Sequence, residues 1–208
     1  MGDYSEFFKS SFLLFVLLNP FLMSIYLLDL IQELSFHQFN TTLLRATIIS
    51  ATIFSLLSLG GHNLFADVLG VRYASFLIFG GIIFLVIGLR FVFQGSDAIK
   101  AMRGNAKHLS GSIALPFMIG PGTVNASIIA GTRMRFPYSI LSILVAMFLS
   151  YASLLILKYL LDFISNKKST LVEKYIDIVG RISALLIGTI AIDMCLQGIE
   201  IWTEAYFH

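Results

Sequence analysis

Six stretches of the chain are almost free of Asp, Glu, Lys and Arg: Ser10–Leu28, Ala46–Ala66, Tyr73–Leu89, Leu109–Thr132, Phe136–Leu157 and Ile182–Ile199. Only Asp193 interrupts the last of them. A helix that crosses a bilayer needs about 20 mostly apolar residues, with a range of about 17–25. The six runs therefore predict six spanning helices. Strands of a membrane barrel would alternate apolar and polar positions, whereas Ile82–Ile87 is apolar at every position. The first run does not read as a cleavable leader. Asp3 and Glu6 precede it where positive charge is wanted, and Asn19–Pro20 follows Leu18 where a small-residue cleavage site would stand.

Composition narrows the class. Of the 208 residues, 57% are hydrophobic and 12% charged, against about 45–50% and about 25% in soluble domains. So few charges cannot cover a soluble globule of this size. The single Cys195 excludes an intrachain disulfide and a multi-cysteine metal site. A net charge of +2 is too small to suggest nucleic acid as a partner. The sequence predicts an all-α, multi-pass membrane protein.

The basic residues give an orientation. The 1–2, 3–4 and 5–6 connections hold ten: Arg45, Arg90, Lys100, Arg103, Lys107, Lys158, Lys167, Lys168, Lys174 and Arg181. The termini and the other two connections hold four: Lys9, Arg72, Arg133 and Arg135. The positive-inside rule puts the first group in the cytoplasm. Both termini are then expected on the periplasmic side of an inner membrane.

The two halves repeat. Pro20 and Pro121 lie 101 positions apart, as do Ser11 and Ser112. Gly88 and Ala191, and Gln94–Gly95 and Gln197–Gly198, lie 103 apart. A drift of two is what one small insertion produces. The expectation is one transmembrane domain over residues 1–208, with repeat one at about 1–101 and repeat two at about 102–208. Three spans per repeat is an odd number, so the second must be inverted. Inverted repeats with broken helices at matching places point to secondary transport.

The breaks are expected in spans one and four, where Asn19–Pro20 and Gly120–Pro121–Gly122 interrupt apolar runs. Proline removes a helix hydrogen bond and clashes with the preceding turn. In lipid the freed groups must find partners or line a cavity. Two flanking glycines leave backbone free to unwind. The half-helix behind such a break presents unpaired N–H groups and a positive partial charge, a seat for a carboxylate. Asn19, Pro20, Gly120, Pro121, Gly122, Thr123 and Asn125 are the predicted substrate-binding residues, with Ser24 at the position equivalent to Asn125. Pro116 adds to the bend, and Pro137 opens span five, where a first-turn proline is ordinary.

Asp193 is the formal charge placed deepest by the sequence. It lies 12 residues after Arg181 and 9 before Trp202, about 18 Å and 14 Å along a helix. Such a carboxylate costs about 2.5–3.5 kcal/mol on insertion scales. It is the candidate for proton coupling or for gripping a substrate ammonium. Arg90 stands 103 positions earlier, at the equivalent place. His37, His62, His108 and His208 share no metal-binding spacing, and no Gly–x–Ser–x–Gly elbow occurs. No metal, no cofactor and no enzymatic activity are expected.

The stretch Ile113–Ala114–Leu115–Pro116–Phe117–Met118–Ile119–Gly120–Pro121–Gly122–Thr123 resembles the signature of the MarC family. Asn19–Pro20, Gly80–Gly81, Arg181–Ile182 and Ala191–Ile192–Asp193–Met194 also fit that family. The resemblance covers essentially the whole chain, and the fourth-span motif is its most specific part. The chain departs from the usual family pattern at Leu22, Ile25, Arg90 and Asp193. The resemblance implies six spans and movement of small neutral amino acids of the alanine, glycine or serine type, with the broken helices forming the site. The partners it implies are a small zwitterionic substrate, a coupling proton or sodium ion and the lipid bilayer, with homo-oligomerisation left open. The alternative is a non-transporting membrane assembly or scaffold subunit, which has no need of unwound backbone at mid-membrane. A lipid-facing Phe over Gly120–Pro121–Gly122 would favour that alternative.

Overall fold

The computed structural model describes residues 2–61, 63–68, 70–94, 118–164 and 170–207. The chain opens with α1 (Gly2–Leu18), α2 (Pro20–Tyr26) and α3 (Leu28–Glu33), and continues with α4 (Phe36–Gly60). A π-helical turn at Leu64–Val68 leads to α5 (Tyr73–Gln94). After the next described residues come α6 (Pro121–Arg133), α7 (Phe136–Ile164) and α8 (Thr170–Phe207). The described residues are helical throughout, with no strand among them.

Five helical stretches are long and apolar enough to cross a membrane: Tyr4–Ser24, Phe36–Gly60, Tyr73–Gln94, Phe136–Phe163 and Arg181–Ala205. Their outer faces carry exposed Ile48, Leu56, Phe79, Phe93, Phe148 and Phe163, the apolar surface that hydrocarbon rather than water tolerates. The expected fourth span, Leu109–Thr132, is described only from Met118 onward. Pro116, Ser112 and Gly95 lie outside the described residues.

Several boundaries move. The second helix runs Phe36–Gly60, not Ala46–Ala66. It starts early because Ser35 and Gln38 form a capping box, which holds a first turn that hydropathy alone does not reveal. It stops where Gly61 takes a φ of 53°, a left-handed terminus that glycine adopts at no steric cost. Arg45, expected in a connection, therefore sits exposed on α4. The fifth helix continues past Leu157 to Ile164. Lys158, also expected in a connection, is inside it and 2% exposed. One long basic residue does not end a helix when its ammonium finds acceptors.

The helices associate through small residues, which let backbones approach in a medium with no hydrophobic drive between helices. A Cβ at Gly81 would fall 2.7 Å from the Ala191 carbonyl oxygen, and one at Gly88 would fall 3.3 Å from that of Ala184. One at Gly198 would fall 2.9 Å from the Ala74 carbonyl oxygen. Rising numbers on α5 meet falling numbers on α8, so the two run antiparallel. On α6, a Cβ at Gly131 would overlap the Ser58 carbonyl of α4.

The burial pattern of α4 recurs on α7. The buried residues of α4 are Phe39, Leu43, Ala46, Thr47, Ser50, Phe54 and Ser58. Exactly one hundred positions on, α7 buries Ser139, Ile143, Ala146, Met147, Ser150, Leu154 and Lys158. The two helices begin at Phe36 and Phe136, again 100 apart. They cross antiparallel, with the Tyr151 hydroxyl donating to Asn40 Oδ1 and the Lys158 ammonium reaching the Leu34 carbonyl.

Candidate functional site

Helix α1 stops at Asn19, which takes a φ of 42° and is the one non-glycine residue with positive φ among those described. Asparagine tolerates this left-handed region better than most residues. The Asn19 amide still donates to the Phe15 carbonyl at 3.1 Å, closing α1. Its side-chain oxygen accepts from the Leu22 amide at 3.1 Å, opening α2. Pro20 then occupies the first position of α2, where its missing N–H costs nothing. Ser24 turns back to the Phe21 carbonyl at 2.5 Å.

The start of α6 is built differently. Gly120 is extended, with φ −105° and ψ 169°, and Pro121 begins α6. The Thr123 hydroxyl accepts from the Gly120 amide at 2.9 Å and lies 2.9 Å from the Met118 carbonyl. That single side chain ties the turn together. Intrahelical bonds do not consume the amides of Gly122 and Thr123 in the first turn. Asn125 is 6% exposed, and its Oδ1 accepts from the Tyr73 hydroxyl at the start of α5.

The fold brings the end of α1 against the start of α6. α1 and α6 run antiparallel: Leu17 reaches within 3.1 Å of where a Gly122 Cβ would be, and Glu6 lies 3.6 Å from Arg133 at the other end. The Phe84 ring of α5 covers the α6 start, 3.2 Å from a Cβ placed on Gly120 and 2.7 Å from one on Gly122. A Cβ at Gly80 would overlap Pro121. Phe84 is half-buried and packs on the core rather than facing lipid.

Asp193 does not join this constellation. Its side chain is exposed on α8, and Gln197 of the same helix donates to its Oδ2 at 2.6 Å. Position along a helix sets depth, whereas the face is set by which neighbours pack, and α8 turns Ala191 and Met194 inward instead.

Two features have no counterpart in the sequence reading. The Lys158 ammonium donates to the carbonyls of Ile31 at 2.5 Å and Leu34 at 2.9 Å, and pairs with Asp162 at 2.6 Å. A cation at the end of α3 satisfies orphan carbonyls and complements the helix dipole. The Lys158–Asp162 spacing of four was a legible signal for a helical pair. The other feature is a cleft of about 340 Å³ between the Asn19–Pro20 turn and α8. No group of three His, Cys, Asp or Glu placed to hold a metal occurs among the described residues.

Residues 4–203 match the model of the family described as MarC family integral membrane protein. The chain is similar to a UPF0056 membrane protein of Aquifex aeolicus, 23% identical over 96% of this chain and 95% of that one. It is also similar to the UPF0056 membrane protein YhcE of Escherichia coli, 26% identical over 95% and 94% of the two chains. A UPF0056 membrane protein of Buchnera aphidicola is 25% identical over 100% and 98%. No solved structure matches the chain. A family match over nearly its whole length, on a fold of membrane-spanning helices, places this chain in the MarC family of integral membrane proteins.

Proposed function

We propose that this protein is a multi-pass inner-membrane transporter of small neutral amino acids of the alanine, glycine or serine type, without enzymatic activity. The observation that carries the reading is the packing of Leu17, just before the Asn19–Pro20 turn, against Gly122 at the proline-led start of antiparallel α6. In this reading the substrate carboxylate binds the first-turn amides of α6, and Thr123, Asn125 and Asn19 supply polar edges. Phe84 must swing aside to admit it. The glycines leave little room beyond a small side chain, and no acidic residue stands in α6 to receive a cationic one.

Two inverted three-helix repeats complete the reading. It is supported by the matched burial of α4 and α7, and by contacts between α5 and α8 that exchange under the repeat offset. Gly81 meets Ala191 and Gly88 meets Ala184, and an offset of 103 turns one pair into the other. Both termini are periplasmic in this arrangement. A proton or sodium ion drives or accompanies transport, with Asp193 as the proton candidate on the strength of its depth alone. The assembly-subunit alternative loses its expected support, since the ring over the glycines is half-buried.

The test is uptake and efflux of labelled amino acids by the purified protein in proteoliposomes. Alanine, glycine or serine flux above protein-free vesicles is expected, and Gly122→Leu should remove it while the protein still inserts. Normal flux by Gly122→Leu, arginine outcompeting alanine, or no flux of any amino acid would overturn the reading.

A further inference from the structure

The cleft beside Pro20 has walls of two origins. One carries Phe15, Pro20 and Phe21, and the other Ile182, Ser183 and Leu186. Its lining is apolar except for Asn19 and Ser183. The Asn19 side-chain oxygen is already committed to the Leu22 amide. Ser183 lines the cleft as a residue only 4% exposed. Phe21, Ile182 and Leu186 are 50%, 57% and 45% exposed, and all three stand on helices that cross the bilayer. The mouth of the cleft therefore opens sideways into hydrocarbon.

The chemistry of the walls selects the occupant. An ordered water needs about 2–4 polar partners, and the surface that lines the cleft is almost wholly apolar, with Asn19 and Ser183 contributing little to it. A zwitterion would lose its hydration with nothing to replace it. An empty cleft would forfeit dispersion contacts along both walls. A flexible hydrocarbon chain restores them and is the solvent at the mouth. We infer that the cleft between the Asn19–Pro20 turn and α8 is a lateral binding site for an acyl chain of a bilayer phospholipid. The site goes beyond the transport reading and does not depend on it.

The residues that keep it open are visible by comparison with the other half. Where Gly80 receives Pro121, the equivalent position 103 residues later is Ser183, and Phe21 stands at the position equivalent to Gly122. The serine Cβ and hydroxyl hold α8 away from Pro20, and the phenylalanine forms a wall instead of a gap.

Bromolipid quenching tests this on the full chain. Trp202 is the only tryptophan, so Trp202→Phe gives a silent background. Phe15→Trp then reports from the cleft wall, Phe148→Trp from the exposed face of α7, and Phe54→Trp from the interior. In vesicles of phosphatidylcholine brominated along its acyl chains, Phe15→Trp should quench close to the level of Phe148→Trp, and Phe54→Trp should not. Adding Ser183→Phe, which fills the cleft, should remove most of the quenching at position 15 and leave position 148 unchanged. Leu186→Phe, which narrows the mouth, should act in the same direction if Ser183→Phe fails to insert. Quenching at position 15 by aqueous iodide instead of bromolipid, or quenching no stronger than at position 54, would overturn the inference.

Discussion

Pro20 and Pro121, 101 positions apart and each at the first position of a helix, stand in opposite surroundings. Pro121 is pressed onto the bare backbone of Gly80, under the ring of Phe84. Pro20 faces Ser183 across a cleft of about 340 Å³. The difference comes from a handful of atoms. Gly120–Pro121–Gly122 meeting Gly80 has no side chain in the way, whereas Asn19–Pro20–Phe21 meeting Ser183 has one at nearly every position. The backbones differ accordingly: Gly120 is extended, and Asn19 is left-handed with its own side chain capping the next turn. Two proline-led helix starts in one fold can thus be sealed in one place and open in the other.

The contrast can be broken most severely away from the prolines, at Ser58 and Lys158, which hold equivalent buried positions on α4 and α7. Lys158→Met should cost about 2–3 kcal/mol, the worth of hydrogen bonds to a charged group. Asp162 is 44% exposed and keeps its hydration, so it adds little to the loss. Thermal unfolding in detergent reads the effect, and a midpoint unchanged from the parent would mean that the carbonyls of Ile31 and Leu34 find other donors.

Gly80→Ser makes the sealed side resemble the open one. The added atoms collide with Pro121, and overpacking of this kind costs about 1–3 kcal/mol. The same thermal assay should register it, with greater accessibility of a cysteine placed at Gly122 in a Cys195→Ala background. A Gly80→Ser protein as stable as the parent, with position 122 still protected, would show that the seat of Pro121 is looser than the contact distances imply.

Ser183→Gly is the reciprocal change and should be gentler. It removes a buried Cβ and hydroxyl and lets α2 approach α8. Stability should move by less than about 1 kcal/mol, a glycine entropy cost inside a helix set against the gain in packing. The cleft reporter at position 15 should lose bromolipid quenching. Retained quenching would mean that Phe21, not Ser183, props the cleft.

Asp193→Asn should have the smallest structural effect. Its side chain is exposed and, among the described residues, is bonded to Gln197 of its own helix, so insertion and unfolding should be unaltered. If the carboxylate couples protons to transport, the pH dependence of flux in proteoliposomes should disappear. Full and still pH-dependent flux would remove Asp193 from the coupling role.

Much of the fold was legible because hydropathy measures depth, and depth is a one-dimensional property. The apolar runs located five candidate spanning helices, and Pro20 and Pro121 each mark a helix start. Helix ends were misplaced where local chemistry overrode hydropathy: the Ser35–Gln38 capping box extended α4 backward, and Lys158 carried α7 forward. The candidate site was legible as a list of residues and not as an arrangement. Thr123 and Asn125 were named as polar edges, yet their partners Gly120, Met118 and Tyr73 follow from the turn and from a helix 52 residues away.

By itself the sequence determined the membrane class, the family resemblance and the helix starts at Pro20 and Pro121, because each follows from residue type and separation along the chain. Only the tertiary structure decided which charge is buried and which faces outward, that Phe84 covers the start of α6, and that Pro121 is seated while Pro20 is not. Those outcomes depend on which helix face meets which neighbour at a separation of one or two methyl groups. No local pattern carries that distance, since it is set jointly by side chains a hundred residues apart.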